Sequence, residues 1–141
     1  MMPLFSWDKV DVSMTTMQSG IYLQYAHARA FNICQLSPQQ QPSALEAAAF
    51  ATLIEPEAIL IVKALANFEE TLAATVSSNE PRPLLSFLFE LAKLMSSAHS
   101  VVRVKDMPAR LAEPRLALWN AARLTLATGL KLLGLVPLER M

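Results

Sequence analysis

The chain has 141 residues, of which 53% are hydrophobic, and its 12 basic and 12 acidic side chains leave no formal net charge. That length suits one domain with a core of its own and no need of disulfides. Zero net charge argues against an indiscriminate polyanion binder, and a lone cysteine, Cys34, excludes an internal disulfide and points to a reducing compartment, the cytoplasm.

Residues 1–18 read as an irregular arm, with Phe5 and Trp7 available to pin it to the rest, and Ser13 to Ser19 as a loop. The start, Met1 to Val10, has no basic region followed by an apolar core, so it does not resemble a secretory signal. Residues 19–141 read as one helical bundle. Ser19 is placed to cap a helix opening near Gly20 and running to about Gln35. One face of that helix, with Leu23, Ala26, Ala30, Ile33 and Cys34, is core. Tyr22, Tyr25 and Arg29 share another face at i, i+3 and i+7. Two phenol rings and a guanidinium in a row can stack on bases and hold a phosphate, or they can simply close a bundle surface.

Leu36 to Pro42 reads as a loop, and Ser43 with Glu46 as a capping box for a short Ala-rich helix to about Thr52. Pro56, between Glu55 and Glu57, suits a first helical turn. Asn67 to Glu70 should break that helix from a following segment, Thr71 to Val76, and residues 77–83 should turn. Leu84 to His99 is a strong helix, with Leu85, Leu88, Phe89, Ala92, Leu94 and Met95 inward. Val101 to Glu113 reads as a loop, briefly extended at Val101 to Val104. The last helix should start at Pro114 and end at Gly134, with Leu116, Trp119, Ala122, Leu126 and Leu130 inward. No strand alternation and no repeat is visible, so the fold class is all-α, a bundle of about five to six helices. The longest apolar run, Pro114 to Leu135, is interrupted by Arg115, Arg123 and Lys131, so no membrane contact is expected.

Charge is uneven along the chain. Residues 1–100 hold five basic and nine acidic side chains, and residues 101–141 hold seven and three. The last segment can therefore supply a basic patch, Arg103 included.

The residues of catalysis are sparse. There is no Gly-rich phosphate loop and no cysteine pair for zinc, and neither a cofactor nor a metal is expected. Cys34 lies two turns from His27 on one helix, too far for a direct hydrogen bond, and only His99 from another helix could pair with it. Glu90 sits in an apolar helix and would matter if buried.

Several stretches together resemble a known family. Tyr22-Leu23-Gln24-Tyr25-Ala26-His27-Ala28-Arg29 resembles the first helix of the anticodon-binding domain of arginyl-tRNA synthetases, the all-helical DALR domain. Phe5 to Lys9 is similar to the Trp-Asp segment leading into that domain, and Pro83 to His99 to its long middle helix. Ala109 to Leu111 and Arg115 to Leu118 resemble the lead-in to its last helix. Gly129 to Met141 is close to the family's ending, final Met included. The resemblance implies a DALR-like bundle that binds tRNA(Arg), with Tyr22, Tyr25 and Arg29 at the anticodon loop and Met141 against a base. His99 stands where the family usually has a Tyr that contacts the anticodon; it can still stack, more weakly. The family's lead-in ends in Thr-Gly-Pro after an acidic, Gly-rich run, and here Thr15 to Ile21 has lost the acid and the Pro. No aminoacylation signature is present, so the chain is expected to hold tRNA(Arg) without charging it, leaving room for a protein partner with a catalytic domain. The alternative is an enzyme resembling the small fungal arginine-containing cyclodipeptide synthases. It would use Arg-tRNA(Arg) as acyl donor, with His27, Glu90 and His99 as candidate acids and bases.

Overall fold

The computed structural model describes residues 20–35 and 45–141. Phe5, Trp7, Ser19, Leu36 to Pro42 and Ser43, named above, lie outside the described residues. Within them the elements are α1 (Gly20–Gln35), a 3-10 helix (Ala47–Thr52), α2 (Pro56–Ala66), α3 (Phe68–Ser78), α4 (Arg82–Ala98) and α5 (Ala109–Leu132), with no strand.

Helix α4 is the centre of the bundle and packs on α1, α2, α3 and α5, while α1 lies along α5. The amphipathic pattern of α4 explains its place: Leu84, Leu88, Leu91, Ala92, Met95 and Ala98 are all buried. Leu85, expected inward, is only partly buried, as are Phe89 and Leu94. Leu23, Ile61, Leu126 and Leu130 close the core around α4. At Gly129 of α5, an added Cβ would run into the Leu88 side chain, so the helices meet where one side chain is missing.

Four local expectations change. The Ala-rich stretch forms a 3-10 helix, Ala47–Thr52, with no buried residue, so no packed face stabilises a regular α-helix there. Glu46 is its N-cap residue and makes no side-chain cap bond. The break after α2 is one residue, Asn67, rather than four. Phe68 packs on the core, and Glu69 and Glu70 sit in the first turn of α3, where carboxylates suit the helix dipole. Helix α3 then runs past Val76 to Ser78 and stops at Asn79, which takes the left-handed conformation.

The fourth change concerns Pro114. It lies inside α5, which begins at Ala109. A proline inside a helix costs about 3 kcal/mol and one backbone bond. The bond it cannot donate would go to Arg110, an exposed residue that water reaches. Pro114 itself is fully buried, and the next residue, Arg115, is anchored. Its Nη2 lies 2.5 Å from Glu55 Oε1, and its Nη1 donates to the Arg103 carbonyl at 2.8 Å. Tertiary burial thus outweighs the local preference for proline at a helix start.

The end of α5 follows its sequence signals. Gly134 is at φ 82°, its N–H donates to Lys131 O, and Leu135 N–H donates to Leu130 O, both at 2.9 Å. This is the paired bonding of a Schellman cap. None of the helices among the described residues is long and apolar enough to cross a membrane.

Candidate nucleic-acid interface

One cleft gathers four of the residues singled out in the sequence. Tyr22, Tyr25 and Arg29 reach it from α1, and His99 from the end of α4. Met95 and Ser96 of α4 and Trp119 of α5 complete its wall. Its free space is about 20 Å³, room for one water molecule. Tyr25 is 50% exposed and presents a ring at the surface, with the Arg29 guanidinium carbon 5.7 Å from that ring's centre.

Arg29 also settles the state of His99. Its Nη2 is 2.8 Å from His99 Nδ1. A guanidinium can only donate, so Nδ1 is the acceptor and the neutral ring carries its proton on Nε2. Burial, and then the charges of Arg29 and Arg103, hold the His99 imidazole below its ordinary value.

Trp119, which the helical spacing marked only as core, is also part of the cleft wall. Its Nε1 donates to Val102 O at 2.9 Å and so fixes the loop after α4. That loop is not a strand: Val101 and Val102 N–H groups both bond back to Ala98 O. Arg103, on the same loop, lines a neighbouring groove that shares His99 with the cleft.

The chain end lies across α1. The Gln24 amide donates to Val136 O at 2.9 Å and accepts from Leu138 N–H at 2.8 Å. His27 Nδ1 is 2.7 Å from Leu138 O, and since a carbonyl only accepts, this nitrogen bears the proton. Met141, beyond this strap, is 65% exposed. Sequence reasoning missed the clamp. Gln24 and His27 are one helical turn apart and match the tail's spacing, but their partners are over 100 positions away.

The three candidate acids and bases do not converge. Of them, His99 alone lines the cleft. His27 is 3% exposed and bound to the tail, and Glu90 is exposed on α4 rather than buried. Burial pushes the Cys34 thiol above its ordinary value, and the nearby Arg123 only partly offsets that push. No cluster of three or more His, Cys, Asp or Glu that could hold a metal occurs among the described residues. The arrangement offers stacking surfaces and cations, and no acid–base pair.

Comparison with known proteins agrees with this geometry. The DALR anticodon binding domain family matches residues 23–141. A probable cytoplasmic arginine–tRNA ligase of Dictyostelium discoideum is 41% identical over 97% of the chain, which covers 22% of that protein. A probable mitochondrial arginine–tRNA ligase of Mus musculus is 38% identical over the same share, with 23% of it covered. The solved arginyl-tRNA synthetase of Thermus thermophilus superposes with a TM-score of 0.76 at 30% identity, over 88% of this chain and 21% of that one. The chain spans about a fifth of the length of the relatives it matches. With its helical bundle and its cleft of tyrosines and arginine, the chain belongs to the DALR anticodon-binding domain family.

Proposed function

We propose that this chain binds tRNA(Arg) at the anticodon loop and does not itself attach arginine. The observation that carries this reading is the cleft, where Tyr22, Tyr25, Arg29 and His99 converge in a domain of the anticodon-binding family. A base stacked on Tyr25 gains about 1–3 kcal/mol. Arg29 supplies the cation that holds the strand. In the free chain the cleft admits only a water, so base entry requires the half-exposed Tyr25 side chain to swing outward while Arg29 stays on His99. Met141, on its strapped tail, offers a soft apolar contact to a neighbouring base.

The charged form, Arg-tRNA(Arg), presents the same anticodon and is held alike. Arginine attachment falls to a catalytic domain outside these residues. The place of action is the cytoplasm, where Cys34 stays reduced. An acyl-transfer reading lacks a supporting arrangement, because His27, Glu90 and His99 face three different surroundings.

The test is fluorescence anisotropy of a labelled tRNA(Arg) transcript with the 141-residue chain. Affinity should fall steeply with salt, and the isolated anticodon stem-loop should compete. Tyr25→Ala should weaken binding about tenfold or more. Equal competition by tRNAs of other specificity would refute the reading.

A further inference from the structure

Beside the cleft lies a groove of about 210 Å³, lined by Ile33, His99, Val102, Arg103, Val104 and Lys105. Its lining holds no carboxylate; Asp106, next in the chain, is not among the lining residues. The loop that builds it alternates strictly. Val102 and Val104 are buried at 1% and 6%, while Arg103 and Lys105 are exposed. Its backbone is fixed from α5, by Trp119 Nε1 on Val102 O and by Arg115 Nη1 on Arg103 O. Met107 N–H closes the turn on Val104 O. Two cations thus stand on a backbone that buried side chains hold still, which is the opposite of a loosely solvated charge run.

His99 belongs to both cavities. Its Nδ1 is engaged by Arg29, so its Nε2–H is left as a donor. A polynucleotide repeats base and phosphate, and a cleft for the base with a cationic groove beside it matches that repeat.

We propose that His99, Arg103 and Lys105 form a binding site for a backbone phosphodiester of the RNA strand whose base enters the adjoining cleft. This rests on the reading of the cleft as an RNA site. The groove acts by charge and position and is blind to base identity; the cleft takes the face of the base. Arg103 and Lys105 are therefore positioning contacts that set the register of the strand.

The experiment compares the intact chain with the double variant Arg103→Gln/Lys105→Gln, by tRNA(Arg) binding across a salt series. Both side chains are exposed, so the variant should melt with the parent, which circular dichroism checks. Two lost phosphate contacts should lower the slope of log affinity against log salt by about 1.5. Affinity at low salt should fall about tenfold, equally for tRNA(Arg) and for transcripts with an altered anticodon base. Tyr25→Ala should do the reverse, weakening binding about tenfold at an unchanged slope. An unchanged slope in the double variant, or a loss of base discrimination in it, overturns the groove and leaves the cleft standing. An unaltered chain that holds no tRNA at all overturns the cleft reading and the groove with it.

Discussion

Arg29 and His99, 70 positions apart in sequence, are joined by a 2.8 Å hydrogen bond in which the imidazole must be the acceptor. The groups around that ring are Arg29 from α1 and Arg103 and Lys105 from the loop, with the phenols of Tyr22 and Tyr25 in the same cleft. Burial and the two arginine charges hold His99 below its ordinary value of 6.5. A base with a lowered value in the folded chain binds fewer protons there than when unfolded. Its contribution to stability is complete above the unfolded value and is lost as pH falls below that value toward the folded one. Stability should therefore drop as pH falls below about 6.5, and Arg29 should be released from the ring once the folded imidazole takes up its proton at still lower pH. His99→Gln keeps an acceptor for Arg29 and cannot titrate, so its urea midpoint should vary less with pH than the parent's. Parallel pH profiles for the two proteins would show that His99 is not the group responsible.

This pair also marks how far the sequence could be read. The face of Tyr22, Tyr25 and Arg29 was legible because helical spacing is a local property. That His99 joins it followed from the family's middle helix, not from any spacing. The cap at Gly134 was legible for the same local reason: one glycine, one left-handed residue, two bonds. The misreadings share another cause. Pro114 obeys a local rule only until burial and the Arg115–Glu55 contact outweigh it. Gln24 and His27 carry no local sign that they grip the other end of the chain. Trp119 looked like core because it is core, at 3% exposure, and it serves the cleft as well.

The Arg115–Glu55 pair is the main polar fastening of the interior. It ties α5 to the start of α2 with side chains only 8% and 18% exposed. Arg115→Met leaves the Glu55 carboxylate largely buried and uncompensated, at a cost of about 3–5 kcal/mol. Adding Glu55→Gln removes the stranded charge and should recover about half of that loss. Urea denaturation of the parent, both single variants and the double gives the coupling directly. Additive losses would mean that the pair is not a pair energetically.

Gly129 tests the close approach of α5 to α4. Helix propensity alone favours alanine there by about 1 kcal/mol. The new methyl group, however, would overlap Leu88, which is 0% exposed and has nowhere to retreat. Gly129→Ala should therefore destabilise by about 1–3 kcal/mol. Thermal melting decides between the two effects, because a raised midpoint means that propensity wins and that the helices can part. Since Leu88 sits in the bundle centre and not in the cleft, tRNA affinity below the melt should be unaffected.

Gln24 is the cleanest handle on the chain end. Its amide makes two bonds to the tail, at Val136 O and Leu138 N–H, and a third bond comes from His27 to Leu138 O. Gln24→Ala removes the first two and leaves a tail fastened by one. The bonds are at the surface, so the cost in global stability should stay under about 1 kcal/mol. The local effect is larger: exchange at the Leu138 amide should speed up about tenfold, while amides in α4 keep their protection. A tail held by that one bond no longer fixes Met141 in place. If Met141 packs on a base, Gln24→Ala should weaken tRNA(Arg) binding by the same factor as deleting Met141, and combining the two should add nothing further. Faster exchange at Leu138 with unchanged affinity would instead assign the clamp to folding alone and remove Met141 from the interface.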